Sequence, residues 1–186
     1  MSQPDFQPVL SGELVELRPI RAEDWNEMFA VASDPCIWEG HPARDRYKEE
    51  VFRDFFDSAL ASGIALTMLD RSTGRIIGSS RYHDWKPERS EVEISYTFLA
   101  RSHWGGTYNR EVKRLMLDRA FRFVDTVIFV VGEANLRSQR AMEKIGAARR
   151  PGFHDRDLRG TTVRHVVYEI RKSEAAFFPA ASTHAD

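Results

Sequence analysis

The sequence predicts an α/β domain in which helices cover the faces of a mixed sheet. Residues 91–122 change their hydrophobic period, because apolar residues alternate up to Ala100 and recur every three or four residues from Tyr108 onward. Alternation indicates a strand with one buried face, and the longer period indicates an amphipathic helix. Residues 126–147 repeat this order, with an apolar run typical of an inner strand before a helix that starts at Asn135.

The first half of the chain shows two amphipathic helices between short segments of other structure. The first helix ends at Asp34-Pro35, because the residue before a proline disfavours the helical conformation. The second helix carries apolar residues on one face, from Val51 to Leu60. The predicted order is a loose arm over 1–11, a strand over 14–18, a helix over 21–33, an irregular segment over 36–47 and a helix over 49–62.

The second half alternates strands with two further helices. The stretch Arg71-Ser72-Thr73-Gly74 has the composition of a hairpin turn between two strands. The predicted elements are strands over 64–69 and 76–83, a polar loop over 85–90, a strand over 91–100, a helix from 108, a strand over 126–132, a helix over 135–146 and strands over 148–154 and 161–170. Together they make one domain over 1–172, followed by a tail over 173–186.

The composition excludes several classes of function. With 27 Lys and Arg against 28 Asp and Glu, the net charge is −1, so no strong field favours nucleic acid or an acidic membrane. No apolar run approaches the roughly 20 residues of a membrane span, and the start lacks the pattern of a signal peptide. The single cysteine, Cys36, rules out an internal disulfide and fits a cytoplasmic protein. The six histidines lack the paired spacing of a metal site.

A glycine turn joins the strand over 91–100 to the helix that follows it. The turn reads Trp104-Gly105-Gly106-Thr107-Tyr108-Asn109. The first turn of a helix leaves backbone N–H groups unpaired and carries partial positive charge, and glycine lets a phosphate approach the backbone. The turn is therefore either an anion-binding site or only a tight connection, and this stretch alone favours neither.

Five segments, in the same order along the chain, resemble the GNAT superfamily of acyl-CoA N-acyltransferases. The resemblance is to the branch with the RimJ/RimL-type ribosomal-protein N-terminal acetyltransferases, and it covers roughly residues 11–171. The matching residues are Gly12–Pro19 followed by Glu23-Asp24, then Gly74–Gly78, Trp104-Gly105-Gly106 with Glu111, Asn135–Ser138 and Glu143–Gly146.

The resemblance implies a mostly antiparallel central sheet in which strands 91–100 and 126–132 splay apart and leave a slot for the pantetheine arm of acetyl-CoA. It also implies that a backbone amide near Phe98 to Ala100 stabilises the oxyanion. The residues that it implies for cofactor binding are Phe98, Leu99, Ala100, Trp104, Gly105, Gly106, Thr107, Tyr108, Asn109, Asn135, Ser138, Arg140 and Lys144. The chain departs from the family pattern at Thr107 and Asn109, which add side chains near the phosphate, and at Met142, where many members have a proton-donating tyrosine.

The acyl transfer that the resemblance implies needs a base for the attacking amine and a proton for the leaving thiolate. Glu93 is the candidate base, because a carboxylate on a central strand is rarely buried without a partner. The alternative is that Glu93 forms a salt bridge with a neighbouring arginine. Ser138 is the candidate proton donor, and the alternative is that it only caps its helix. No covalent nucleophile stands out, which favours direct attack in a ternary complex.

The predicted activity is acetyl-CoA-dependent acetylation of a primary amine on a small molecule or peptide, with a homodimer consistent with the family. Trp38, Tyr82 and Trp85 suggest an aromatic-lined acceptor pocket, although Trp38 fits the core at least as well. One alternative is a protein N-terminal acetyltransferase of the ribosomal type. Another, from a different class, is a non-catalytic acyl-CoA-binding module, which the three departures from the family pattern support.

Overall fold

A computed structural model describes residues 4–158 and 160–174 of the chain. Within these residues, nine strands form one sheet and four α-helices pack on its faces. The strands are β1 (Leu10–Ser11), β2 (Val15–Pro19), β3 (Ala65–Asp70), β4 (Ile76–Lys86), β5 (Glu91–Leu99), β6 (Thr126–Gly132), β7 (Ala148–Arg149), β8 (His154–Leu158) and β9 (Thr161–Arg171). The helices are α1 (Trp25–Ala32), α2 (Glu49–Ser62), α3 (Thr107–Ala120) and α4 (Leu136–Lys144).

The sheet is mixed and mostly antiparallel, as predicted. The strand order is β1-β2-β3-β4-β5-β6-β9-β7, and β8 also pairs with β9. Among the described strands, β5 and β6 form the one parallel pair, and the other pairs are antiparallel. No helix in the described ranges is long and apolar enough to cross a membrane.

Two hydrophobic clusters lie on opposite faces of the sheet. One cluster joins the sheet to α3 and α4, and it contains Leu66, Met116 and Phe129. The other joins the sheet to α1 and α2, and it contains Ala65 and Phe52. Ala65 and Leu66 are consecutive residues of β3, so their side chains point to opposite faces. We refer to these faces as the α3 face and the α1 face.

A bulge in β5 changes which of its residues face each side. Val92 and Ile94 belong to the α3 face, whereas Phe98 belongs to the α1 face. Between them the register against β4 steps by two residues on β4 and by three on β5, and Tyr96 has a φ of 54°. The prediction that Val92 to Ala100 alternate on a single face was therefore wrong. The extra residue of a bulge inverts the alternation after it.

The bulge coincides with the point where β5 and β6 separate. Their parallel pairing runs only from Glu91 and Thr126 to Glu93 and Ile128. Beyond that point β5 follows β4, and β6 follows β9 to its end. The predicted splaying of these two strands is confirmed. We call the space between residues 94–99 of β5 and 129–132 of β6 the wedge.

The ends of the chain depart from the prediction. The arm over 1–11 is not loose from residue 4 onward, because Phe6 is 3% exposed and packs on Tyr82 with ring centroids 4.8 Å apart. The predicted strand over 148–154 is instead the short β7, followed by the separate strand β8. Most of the predicted tail, from residue 175 to 186, lies outside the described residues.

Candidate active site

The glycine turn leads directly into α3, whose first turn is open. Gly105 has a φ of 73°, a conformation that favours glycine, and Gly106 is the N-cap residue. As a glycine, Gly106 has no side chain that could cap the helix. A Cβ atom added at Gly105 or Gly106 would meet no atom within 4 Å. The backbone of the glycine turn is therefore open to an approaching group next to the first turn of α3, where a helix leaves its N–H groups unpaired.

Trp104 ties this turn to the end of β5 and to α4. Its Nε1 donates to the Leu99 carbonyl oxygen at 2.8 Å. The guanidinium carbon of Arg137, in the first turn of α4, lies 4.0 Å from the centroid of the Trp104 ring system. Arg137 also donates to the carbonyl oxygen of Ile37 at 2.6 Å, in the irregular segment after α1. These contacts fix the glycine turn relative to the end of β5 and the first turn of α4.

Of the backbone amides from Phe98 to Ala100 that were predicted as oxyanion donors, one points toward the wedge. The Ala100 amide donates to the Ile77 carbonyl oxygen at 2.7 Å, so it is already used within the sheet. Successive amides along a strand point to opposite edges, and the Leu99 amide therefore points away from β4, toward the wedge. The Phe98 amide, two positions before Ala100 in the same register, points toward β4 like the Ala100 amide.

Helix α4 presents a capped N-terminus next to the wedge. The Asn135 side chain is the cap, because its Oδ1 accepts from the Ser138 backbone N–H at 3.2 Å. Among the described residues, no hydrogen bond involves the Ser138 hydroxyl group, and this side chain is half-buried. Arg140 and Lys144 are exposed on the same helix. Met142 is 6% exposed in the core and has no proton to donate.

The structure places Glu93 in a buried ion pair. Glu93 is fully buried, and its two carboxylate oxygens accept from Arg156 at 3.2 and 2.6 Å. Arg156 comes from β8, a strand that the sequence-based prediction did not place there. The salt bridge left open as an alternative is therefore present. The guanidinium occupies one lone pair on each Glu93 oxygen and leaves the second lone pair of each oxygen for another donor.

The predicted aromatic pocket is wrong. Trp38 is 2% exposed on the α1 face, and its Nε1 donates to the Ala32 carbonyl oxygen at 2.8 Å. Tyr82 is fully buried on the α3 face, and its hydroxyl donates to the Met116 carbonyl oxygen at 2.7 Å. Trp85 packs against the same cluster as Tyr82. Because Trp38 and Tyr82 lie on opposite faces of the sheet, they cannot line one pocket.

Another aromatic group stands next to the bulge, and sequence reasoning missed it. The Tyr96 ring lies 5.4 Å from the His83 ring and 6.1 Å from the Phe55 ring, measured between centroids. The guanidinium carbon of Arg81 lies 4.2 Å from the Tyr96 ring centroid. The positive φ of Tyr96 strains a residue with a Cβ atom, and such strain is found most often at functional sites. The sequence carries no signal for the bulge, so Tyr96 read as an ordinary core position.

His41 lies in the irregular segment that packs against the end of β6. Its Nδ1 accepts from the Ala43 backbone N–H at 2.9 Å, which places the proton of the neutral ring on Nε2. Burial, reinforced by the charges of Arg46 and His165, lowers the pKa of His41 to about 3. His41 therefore stays neutral at physiological pH and offers an N–H donor rather than a base.

The neutral state of His41 predicts a loss of stability in acid. The unfolded chain binds a proton below about pH 6.5, while the folded chain does not until about pH 3, so stability falls as the pH drops between these values. The loss reaches about 1.4 kcal/mol per pH unit. Urea unfolding of His41→Asn at pH 7 and pH 5 should show a smaller loss than the wild type. The exposed His154→Asn is the control, and an unchanged pH dependence in His41→Asn would contradict the assignment.

Comparison with known proteins agrees with this geometry. Residues 15–148 match the family model of the acetyltransferase (GNAT) domain. A search of curated proteins found no match. Among solved structures, a candidate acetyltransferase from T. thermophilus is 27% identical, with a TM-score of 0.75 and coverage of 94% of this chain and 93% of that one.

Two more distant structures show the same fold. A GCN5-related N-acetyltransferase from Brucella melitensis is 20% identical, with a TM-score of 0.75 over 90% of this chain and 80% of its own. RimJ from Mycobacterium smegmatis, solved in complex with CoA-disulfide, is 17% identical, with a TM-score of 0.72 over 97% of this chain and 93% of its own.

Proposed function

The chain belongs to the GNAT acetyltransferase family, and on that premise we propose that it transfers an acetyl group from acetyl-CoA to a primary amine. The amine belongs to a small molecule or a peptide, and it attacks directly in a ternary complex. The observation that carries the proposal is the wedge between β5 and β6, which opens beside the uncapped first turn of α3.

The residues around the wedge fit coenzyme A. The open backbone at Gly105, Gly106 and the start of α3 would hold the pyrophosphate, because N–H groups and the helix dipole both favour an anion there. Thr107 is exposed and makes no capping bond, so its side chain leaves the N–H groups free. The edge of β5 that β6 leaves unpaired offers backbone groups to the amides of the pantetheine arm, with Leu99 as the oxyanion donor.

The remaining predicted cofactor contacts lie on both sides of this path. Asn135 and Ser138 stand at the start of α4, and the exposed Arg140 and Lys144 lie further along the same helix. In the proposal, the two basic side chains attract the phosphates through solvent. Trp104 and Tyr108 shape the turn, since the Tyr108 ring packs on His103 with centroids 4.6 Å apart.

Glu93 and Ser138 keep their proposed roles on opposite sides of the reacting carbonyl. With Arg156 on its oxygens, Glu93 would act on the amine through a water molecule or by orienting it. The Ser138 hydroxyl would lie against the cofactor arm or give its proton to the thiolate. Tyr96, His83 and the neutral His41 would surround the acceptor, in place of the tryptophans that the sequence suggested.

The experiment is a transfer assay on the purified protein. Acetyl-CoA is mixed with a panel of amino acids, polyamines, aminoglycosides and short peptides with free N-termini, and the released thiol is followed with a chromogenic disulfide. Mass spectrometry of the acceptor then checks for a gain of one acetyl group. We expect acetylation of at least one amine at a rate well above thiol release without acceptor.

The same panel separates the alternatives. Acetylation confined to the peptide N-termini would identify the protein N-terminal activity of the RimJ/RimL type. Acetyl-CoA binding without acetylation of any member would favour the non-catalytic acyl-CoA-binding module and contradict the enzymatic proposal.

A further inference from the structure

A lysine lies buried in the protein without an acidic partner. Lys113, in the second turn of α3, is 2% exposed, although lysines are rarely buried unless they are paired. Within the ranges that the structure describes, no carboxylate lies within 4.0 Å of its Nζ. Burial alone lowers the pKa of Lys113 to about 7. An amine kept in this state costs stability, so a function is the more economical explanation of its place.

The contacts of the amine place it between the two strands that separate. Its Nζ donates to Thr97 Oγ1 of β5 at 2.7 Å. On the other side it lies 5.4 Å from the centroid of the Phe129 ring, which belongs to β6. Thr97 and Phe129 both follow the last paired residues of their strands, Glu93 and Ile128. The amine of Lys113 therefore lies at the floor of the wedge, on the α3 face.

The same helix that would bind the pyrophosphate carries this amine. Lys113 follows Thr107, the first residue of α3, by six positions, which corresponds to about 9 Å along the helix axis. A cofactor arm that starts at the first turn of α3 and enters the wedge therefore runs toward Lys113. An ammonium group has three donor protons, and Thr97 accepts one of them, so two remain for a ligand.

We propose, on the premise of the proposed function, that the Lys113 amine contacts the sulfur of bound coenzyme A and protonates the departing thiolate. As the bond from carbon to sulfur breaks, the sulfur keeps the electron pair and takes a proton from the Lys113 ammonium, which becomes a neutral amine. The attacking amine loses its own proton through a water molecule to the Glu93 carboxylate, which then returns it to solvent. Lys113 regains a proton from solvent after the thiol leaves.

Lys113 suits this step better than Met142 or Ser138, which leaves Ser138 the other role proposed above, contact with the cofactor arm. Met142 has no proton, and the Ser138 hydroxyl is a far weaker acid than an ammonium whose pKa is near neutrality. Thr97 orients the amine, since its hydroxyl also contacts Ser80 Oγ at 2.7 Å and is thereby held in place. Lys113 precedes Met116 by three residues and Ala120 by seven, so it lies on the same face of α3 as these apolar residues. The hydrophobic period of the helix therefore indicates a buried position for Lys113.

The test measures the ionisation of bound coenzyme A, which does not depend on turnover. The thiolate absorbs in the ultraviolet, and the complex with desulfo-coenzyme A provides the baseline. Thiolate formation in the wild-type complex should begin at least about one pH unit below that in the Lys113→Met complex. The thiol can pass its proton to the neutral Lys113 amine, and the resulting ammonium favours the thiolate. Methionine keeps the length of the side chain and removes a buried amine that costs stability, so the variant should fold with a melting temperature no lower than that of the wild type.

Variants at other positions make the result specific. The exposed Lys48→Met should titrate like the wild type. Equal thiol pKa values in the wild-type and Lys113→Met complexes would overturn the inference while leaving the proposed function intact. The inference would also be overturned if Ser138→Ala, and not Lys113→Met, abolished the lowering of the thiol pKa. Failure of the wild type to bind coenzyme A would overturn both. With an active acceptor, kcat should fall about 100-fold in Lys113→Met while KM for acetyl-CoA changes little.

Discussion

Replacing Arg156 by methionine should lower the free energy of unfolding by about 3 kcal/mol, because it leaves the buried Glu93 carboxylate without its partner. Glu93 is fully buried, and both of its oxygens accept from the Arg156 guanidinium. Without that partner, the carboxylate must either stay ionised in a low-dielectric site or take up a proton. The Arg156 side chain is 29% exposed, which places the loss at the lower end of the range for buried pairs.

The double variant tests whether the ion pair, rather than the arginine alone, is responsible. In Glu93→Leu with Arg156→Met, no charge is left unpaired, and the protein should unfold within about 1 kcal/mol of the wild type. Urea unfolding of the single and double variants measures both quantities. If Arg156→Met lost less stability than expected, so that it stayed more stable than the double variant, the ion pair would not explain the contribution of Arg156 to stability.

Replacing Glu111 by alanine should destabilise the protein by a similar amount, about 3 kcal/mol, through lost hydrogen bonds. The Glu111 carboxylate accepts from the backbone N–H groups of Glu13, Leu14 and Val15, each at 2.8 Å. A Cβ atom at Gly12 would overlap this carboxylate, which explains a glycine at that point. Alanine would leave three amides at the start of β2 without an acceptor.

Asp118→Ala is the matched control on the same helix. Asp118 is 59% exposed and pairs with Arg114 at 3.2 Å, so its removal should cost less than about 0.5 kcal/mol. Guanidinium unfolding curves of the two variants would show the difference. Similar small losses in both would mean that water replaces Glu111 at these amides.

The sequence predicted elements best where local chemistry decides their boundaries. Helix α2 spans Glu49–Ser62 in both prediction and structure, since Gly63 adopts the left-handed conformation that ends helices. The strand, glycine turn and helix over 91–120 also follow from period and composition. The splaying of β5 and β6 came from the family resemblance, because no pattern in either strand encodes it.

The features that the sequence did not predict depend on contacts between segments that are far apart in the chain. The bulge at Tyr96 depends on how β5 packs against β4, and it reverses the faces of every residue that follows. Arg156 reaches Glu93, 63 residues earlier in the chain, only because β8 folds back onto β9. The aromatic pocket failed for the same reason, since the aromatic residues grouped by the prediction lie on opposite faces of the sheet.

The most direct test of the central claim is a calorimetric titration of the protein with acetyl-CoA. We expect one site per chain with a Kd roughly in the micromolar range, and a similar affinity for desulfo-coenzyme A. Gly106→Trp should weaken binding by more than about 100-fold, because the indole would fill the open space before α3. Asn26→Trp, on the exposed side of α1, is the control. No heat of binding in the wild type, or full affinity in Gly106→Trp, would contradict a cofactor site at the glycine turn and the wedge.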